Sequence, residues 1–195
     1  FSFRLIDVDQ PPARPLEFDT TYGVGLVPVP AAALQVTGSY FNTNLRAYAP
    51  QDDWRASQPP LGHPVAGTRA DAQIDFTRAT WGQRADVGLT DGTDANWDNF
   101  SVQWDGTITV TQAGTRLYLG SDDGSRLWID LNRDGNFNSA NEEFVNNNWG
   151  SQQSFTLGPP SVPLDPGTYT IRIQYEEGIS DNAISLRWDE GVRLD

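Results

Sequence analysis

The stretch "NFSVQWDGTITV", residues 99–110, decides the fold class. Phe100, Val102, Trp104, Ile108 and Val110 all stand at even positions, with Ser101, Gln103, Asp105, Thr107 and Thr109 between them. Neighbouring side chains of a strand point to opposite faces, so this spacing describes a strand with one apolar and one polar face. Working outward, "GTYTIRIQY" (167–175) repeats the pattern with Tyr169, Ile171, Ile173 and Tyr175, and "NAISLRW" (182–188) with Ile184, Leu186 and Trp188. "QIDFTRATW" (73–81), "TRLYLGS" (115–121), "SRLWID" (125–130) and "QSFTLG" (153–158) read as further strands. No segment sustains a 3.6-residue apolar period. The expectation is an all-β chain, an antiparallel β-sandwich or barrel, with long loops at roughly 42–73 and 84–98. Loops of that length are functional or cover exposed sheet edges.

Composition sets the outer limits. Within 195 residues, 7 Trp, 9 Phe and 6 Tyr are enough for a sizeable core, and 18 Gly and 13 Pro suit short strands joined by turns. A net charge of −13 argues against nucleic acid and against anionic membrane surfaces, and suits a binder of divalent cations. The absence of Cys excludes thiolate zinc and iron–sulfur centres. His63, in the Pro-flanked "LGHPV", is the only histidine, so a two-histidine metal centre is excluded too. No nucleophile–base–orienter set is visible, and the chain reads as a non-enzyme. No apolar run approaches the ~20 residues that a membrane-spanning helix needs. The chain begins at Phe1 without an initiator Met or a signal peptide, and is expected to be a piece of something longer. Residues 1–34, where prolines interrupt any regular element, read as an N-terminal extension or the tail of a preceding module; residues 35–195 read as one domain.

Two concentrations of oxygen ligands lie in "LGSDDGSRLWIDLNRDGNF", residues 119–137. In the second, Asp130, Asn132 and Asp134 alternate before Gly135, which is the start of a D-x-[DN]-x-[DN]-G calcium loop. Calcium takes six to eight hard oxygens, and alternate positions of a tight loop converge on one point. The Asn136 backbone carbonyl would point inward. Position twelve is Asn141 rather than Glu, so Glu143 is favoured as the closing carboxylate. Strands rather than helices flank the loop. All its ligands come from one segment, which makes this a structural site. The bland alternative is an Asx-turn loop with solvated charges.

The first concentration is the Asp122–Asp123 pair, which breaks strand alternation. A cis peptide would swing both carboxylates to one side, and Gly120 and Gly124 allow the unusual backbone. Alone, "SDDG" is more often a solvated turn. A paired-carboxylate hydrolase lacks a second acidic pair placed opposite. A third calcium is conceivable in "DGTDANWDNF", with Asp91, Asp94, Asn96 and Asp98. Asp52 and Asp53 in "QDDWR" fit a salt bridge or cap as well as a ligand role, and Trp97, Trp104, Trp128 and Trp188 are most simply core.

"GSYFNTNL", "IDF", "DNFSVQWDGTITVTQAGTRLYLGSDDGSRLWID", "NNWG" and "LDPGTYTIRIQYEEG…AISLRW" follow in the order and at the spacing of the domain family named after anthrax protective antigen, which flocculins, epithelial adhesins and bacterial surface adhesins share. The resemblance covers roughly residues 35–190. It implies a lectin-like β-sandwich. In sugar-binding members, consecutive aspartates joined by a cis peptide hold calcium. Those positions are Asp122 and Asp123 here. A side-chain oxygen at Glu177 and the backbone carbonyls of Ile179 and Asp181 would complete the set, with a carboxylate at 177 where other members have an amide. Open positions on the ion would accept vicinal sugar hydroxyls. Trp149 fits a family position, as core or as a sugar-stacking ring. The resemblance thus points to a calcium-dependent carbohydrate-binding module of a large bacterial cell-surface or secreted adhesin, extracellular and monomeric within a longer chain. The alternatives are a calcium-rigidified spacer and an ancillary domain of a secreted glycosidase.

Overall fold

A computed structural model describes residues 4–6, 15–17, 32–47, 53–55, 64–90, 97–137, 143–147, 149–150 and 153–189. The stretch that opened the sequence reading is strand β6, Phe100–Val110, and it lies inside a six-stranded sheet. The strands in chain order are β1 (Arg4–Ile6), β2 (Pro15–Glu17), β3 (Ala32–Phe41), β4 (Gly67–Asp71), β5 (Asp75–Thr77), β6, β7 (Leu117–Asp122), β8 (Ser125–Ile129), β9 (Glu143–Asn147), β10 (Thr156–Pro160), β11 (Gly167–Glu177) and β12 (Ala183–Trp188). The larger sheet runs β4-β3-β6-β11-β8-β9 and the smaller β10-β7-β12-β5, while β1 and β2 pair with each other. Every pairing is antiparallel. The all-β reading holds.

The even-numbered residues of β6 face the core as the alternation requires: Phe100, Val102, Trp104 and Ile108 are fully buried and Val110 nearly so. The gap in their series is Gly106. A Cβ there would lie 2.0 Å from the Gln35 carbonyl oxygen of the neighbouring strand β3, so no side chain fits. Across β11, Trp104 pairs with Ile173 and Phe100 with Glu177. The interior is aromatic. Trp81 stacks on Phe76 at 4.6 Å, on Trp97 at 5.3 Å and on Tyr175 at 5.8 Å, with Phe100 edge-on at 5.3 Å.

Three features differ from the sequence reading. The first strand of the domain body begins at Ala32, inside the segment assigned to the extension, and pairs there with Val110. The expected loop at 42–73 contains β4, and "QIDFTRATW" holds strand only at Asp75–Thr77. After β5 a tight turn takes over, in which the Thr80 hydroxyl accepts from the Thr77 amide at 2.8 Å and delivers Trp81 to the core. The expected loop at 84–98 carries a short 3-10 helix, Arg84–Val87, whose Val87 is also buried. This connection fills the core rather than merely covering an edge.

The polar face of β6 and β11 is also buried at the end that carries Ser101 and Glu176, while Thr109, Thr168 and Thr170 at the other end are exposed. Ser101, Gln103, Gln174 and Glu176 are fully covered, and so is Arg126 of β8. Covering them are Phe41, Leu45 and Trp54, packed with Trp149 into a second apolar cluster. Burial of polar groups is tolerable only when they are paired. Here Arg126 Nε donates to Gln174 Oε1, and Gln174 Nε2 to Gln103 Oε1, both at 2.7 Å. At the edge of this layer Asp53 receives Arg55, Gln103 and Arg172. Burial alone would raise its carboxyl, but the hydrogen bonds from Arg55 and Gln103 and the charge of Arg172 hold it well below the usual carboxylate range. Asp53 is therefore a structural ion-pair partner, as one reading of "QDDWR" expected.

Candidate ion and sugar site

β7 ends at Asp122 and β8 begins at Ser125, so Asp122, Asp123 and Gly124 form the turn between two buried strands. The Asp122–Asp123 peptide bond is cis, as the sequence reading anticipated. A buried hydroxyl and amide cluster fixes the turn from beneath. Ser121 Oγ and Ser125 Oγ lie 2.6 Å apart, Asn147 Nδ2 donates to Ser121 Oγ at 3.0 Å, and the Ser121 hydroxyl donates to the Asp123 carbonyl. Gln153 Nε2 donates to the same carbonyl at 3.1 Å.

The two carboxylates live in different surroundings. Asp123 is buried, and each of its oxygens accepts a backbone amide from a distant segment: Gln153 N at 2.9 Å and Gly178 N at 3.0 Å. Asp122 is half-buried. Burial, together with the charges of Asp123 and Asp181, raises its carboxyl to about 6. Both aspartates line an open pocket of about 380 Å³ with Gln153, Ser154, Ile179, Ser180 and Asp181.

Glu177 is not among the residues that line this pocket, although the charges of both aspartates act on it. It is fully buried at the end of β11, on the same side of the strand as Tyr175, and its Oε2 accepts from the Tyr175 hydroxyl at 2.7 Å. Its other oxygen, Oε1, has no hydrogen-bond partner. Burial raises the Glu177 carboxyl to about 9; the Tyr175 bond opposes that rise, and the charges of Asp123 and Asp122 add to it. Glu176 points the other way, to Asn44 Nδ2 at 2.6 Å and Arg46 at 2.9 Å. Strand geometry thus separates the two glutamates: Glu177 is bonded to Tyr175, and Glu176 is linked to Asp123 through Arg46, whose Nη2 lies 2.9 Å from Glu176 and 3.9 Å from Asp123 Oδ2.

The rim beyond Glu177 shows a pattern of used and unused carbonyls. Gly178 O accepts Asn99 N at 2.6 Å, and Asn182 O accepts Arg78 N at 3.0 Å. Among the described residues the carbonyls of Ile179 and Asp181 accept nothing. Four of the five residues named for the sugar-site ion (Asp122, Asp123, Ile179, Asp181) therefore line one pocket, and Glu177 does not. No group of three or more acidic or histidine side chains converges on one point among the described residues. An ion held here has to draw on backbone oxygens as well. The available donors are carboxylate and amide oxygens, the hard set that suits calcium; Glu177 Oε1 is buried without a direct partner among the described residues, while the carboxylate as a whole is served by the Tyr175 hydroxyl and the Asp123 backbone.

The second loop is built differently. Asp130 is buried, with Oδ1 accepting Asp134 N at 3.1 Å and Oδ2 accepting Gly135 N at 3.0 Å. Asn132 Oδ1 accepts the same Asp134 amide at 2.9 Å, and Asp134 Oδ1 accepts Asn136 N at 2.8 Å. Arg133 (φ 61°) and Gly135 (φ 82°) adopt left-handed backbone to close it. Asp130, Asn132, Asp134 and Asn136 are thus together, in the Asx-turn arrangement. Glu143 opens β9 opposite Ile129, and its carboxylate lies outside the described atoms.

Other candidates fall elsewhere. Trp149 is partly buried in the second cluster; its Nε1 donates to Arg46 O at 3.0 Å, and the Arg126 guanidinium lies 3.6 Å from its ring centre. It does not line the pocket. Trp97, Trp104 and Trp128 are buried and Trp188 packs against the core. His63, Asp52, Asp91, Asp94 and Asn96 lie outside the described residues. The sequence reading missed Gln153, Ser154 and Tyr175, whose local patterns carry no ligand signal.

A family model described as the PA14 domain matches residues 61–190. No curated protein matches the chain. Among solved structures, an anti-sigma factor domain-containing protein aligns with a TM-score of 0.52 at 22% identity, over 82% of this chain and 44% of that one. At such identity the likeness speaks to the fold alone, and this chain spans less than half of that protein. The PA14 domain of the antifreeze protein MpAFP aligns with a TM-score of 0.48 at 18% identity, over 82% of this chain and 84% of that one. The epithelial adhesin 9 A domain from Candida glabrata, in complex with Galb1-4GlcNAc, aligns with a TM-score of 0.44 at 13% identity, over 81% and 82%. With the family model covering two thirds of its length, the chain belongs to the PA14 domain family.

Proposed function

We propose that this chain is a calcium-dependent carbohydrate-binding module, extracellular, within a large bacterial cell-surface or secreted adhesin, and a binding domain rather than an enzyme. One observation supports this above the others: the cis-linked Asp122–Asp123 pair lines an open pocket together with Ile179 and Asp181 of the rim loop. Asp122 and Asp123 would hold the ion together with the backbone carbonyls of Ile179 and Asp181; Glu177, the third carboxylate of the expected set, does not converge with the pair among the described residues and would have to turn toward the pocket to join them. A bound calcium would supply an oxygen-seeking centre suited to two vicinal sugar hydroxyls. The chain's own residues do the rest. The Gln153 and Gly178 amides fix Asp123. Ser154, Gln153 and Asp181 offer polar groups to hydroxyls beyond the pair. Exchange of water for a diol gives weak affinity per site, which repeated domains on one surface raise by multivalency. A second, structural calcium in the loop from Asp130 to Glu143, with Asn132, Asp134 and Asn136, is part of the same reading.

Glycan-array and calorimetric binding with calcium, with chelator, and for Asp123→Asn test the proposal. Glycan binding that is lost in both perturbed arms is expected; binding indifferent to chelator sinks it. The burial of Asp123 and Glu177 favours a second reading, a calcium-rigidified spacer. That reading predicts a chelator-sensitive melting temperature with no glycan bound. An ancillary glycan-binding role beside a glycosidase would share the first mechanism, and the parent chain decides it.

A further inference from the structure

The rim loop 178–182 lies outside any strand, yet it is gripped at successive points by one segment. Asn182 Nδ2 donates to Trp97 O at 3.2 Å, Ser180 N to Asp98 Oδ1 at 3.1 Å, and Asn99 N to Gly178 O at 2.6 Å. Three consecutive residues, Trp97, Asp98 and Asn99, thus hold alternate residues of the rim. Two of these bonds use the backbone of the gripping segment. Asp98 alone supplies a side chain.

Backbone conformation shows what this grip maintains. Three non-glycine residues among those described have positive φ, and two face each other here: Asn99 at 53° and Ser180 at 96°. A left-handed serine persists only where its surroundings over-determine it. The Asp98 bond to the Ser180 amide is such a restraint, and it sits midway between Ile179 and Asp181, the two residues with unused carbonyls. Arg78 braces the far side, with its amide on Asn182 O and its guanidinium 3.4 Å from Asp181 Oδ1.

We propose that Asp98 is a positioning residue for the ion site, holding Ser180 so that the carbonyls of Ile179 and Asp181 stay presented beside Asp122 and Asp123. This rests on the calcium reading above, and Asp98 itself is no ligand of the ion. It acts through one hydrogen bond, which an amide oxygen can also accept. Asn at this position therefore preserves the restraint and Ala removes it.

The test compares wild type, Asp98→Asn and Asp98→Ala, each by calcium titration calorimetry, by melting temperature in chelator and by hydrogen exchange of the Ser180 amide. Asp98→Ala is expected to weaken the calcium that glycan binding requires by about fivefold or more, the scale of one lost hydrogen bond. Its Ser180 amide exchanges faster, and its melting temperature in chelator stays close to wild type. Asp98→Asn keeps the affinity within about twofold and keeps the amide protected. Equal calcium affinity in Asp98→Ala and wild type overturns the inference. A weakening in Asp98→Asn as large as in Asp98→Ala also overturns it, since charge rather than position would then be acting. Loss of chelator-state stability in step with affinity reduces Asp98 to a scaffold role and overturns it as well. A wild-type chain that takes no calcium sinks the ion reading itself and this inference with it; that failure is told apart because the wild-type titration is then already flat.

Discussion

The two acidic sites of this domain stand a few residues apart in the chain and are built on opposite plans. The loop from Asp130 to Asn136 closes on itself, its carboxylate and amide side chains accepting from amides at most five residues away. The Asp122–Asp123 turn is finished by segments remote in sequence: Gln153 from the approach to β10, Glu177 and Gly178 from the end of β11, and the rim beyond. A local loop can be an ion site or a hydrogen-bonded turn with little change of shape. The assembled site has both of its aspartates at an open pocket and, among the described residues, a buried glutamate oxygen without a direct partner. These features are what the proposed guest at the assembled site rests on.

The largest expected effect breaks the assembled site and spares the local one. Asp123→Ala leaves the buried amides of Gln153 and Gly178 without an acceptor, so it should lower stability by about 2–4 kcal/mol and abolish glycan binding. Asp130→Ala removes two partly buried bonds and should lower stability by about 1–2 kcal/mol, with one calcium fewer and glycan binding kept. Calorimetric stoichiometry and chemical denaturation check both. If Asp130→Ala abolishes glycan binding, the division of labour between the sites is wrong.

Chelation and pH sharpen the same contrast. A ligand that binds only the folded chain stabilises it by about 2.7 kcal/mol at a hundred times its dissociation constant, so chelator should lower the melting temperature clearly. The assembled site adds a proton linkage. Glu177 is raised from 4.5 to about 9, and Asp122 from 3.8 to about 6. A carboxyl raised on folding holds a proton that the unfolded chain releases, so the stability tied to Glu177 is fully present below 4.5 and is lost as pH rises toward 9. In chelator, melting temperature should therefore fall between pH 5 and pH 8, and Glu177→Gln should flatten that fall. In calcium the fall should shrink, because a cation takes the proton's place. Denaturation curves at several pH values with and without chelator measure it; a chelated protein that becomes more stable toward pH 8 refutes the linkage.

How much of this was legible follows from the same distinction. Strand alternation in β6, β11 and β12 is a property of neighbouring residues, so the sandwich was readable, and so was the spacing of Asp130, Asn132 and Asp134. The register that sets Phe100 against Glu177, and the choice of Glu177 over Glu176, depends on which strands pair; before the fold was known, only a family resemblance could suggest it. Gln153 and Ser154 had no local mark at all. The covered polar face misled alternation in another way. Gln103 and Gln174 read as a solvent face, but Phe41, Leu45, Trp54 and Trp149 seal it.

Trp149 belongs to that cover rather than to the pocket, and its removal should show it. Its ring packs on Trp54 at 5.7 Å, and its indole holds the Arg46 carbonyl, whose guanidinium lies 3.9 Å from Asp123. Trp149→Ala should lower stability by about 2 kcal/mol, below the range of about 3–5 kcal/mol for a fully buried aromatic residue because the ring is only partly buried. Calcium in the 130–137 loop should be untouched. A loss of glycan affinity with stability intact would place the ring against sugar instead.

The smallest effect is expected at Asp181, although it lines the pocket. Its side chain is 82% exposed and its one ion pair, to Arg78, spans 3.4 Å. Exposed pairs of this kind contribute well under about 1 kcal/mol, so Asp181→Asn should change stability by less than about 0.5 kcal/mol. The substitution leaves the backbone carbonyl in place, and that carbonyl is the oxygen assigned to the ion. Calcium affinity should therefore shift by no more than about threefold, mainly through the lost negative charge near Asp122. Salt distinguishes the two routes, since a charge effect on an exposed group fades as the Debye length shrinks from about 10 Å at 0.1 M to about 3 Å at 1 M, whereas loss of a ligating oxygen does not. A calcium titration of Asp181→Asn at low and high salt decides between them. A large, salt-independent loss would mean that the carboxylate itself, not the loop backbone, completes the assembled site.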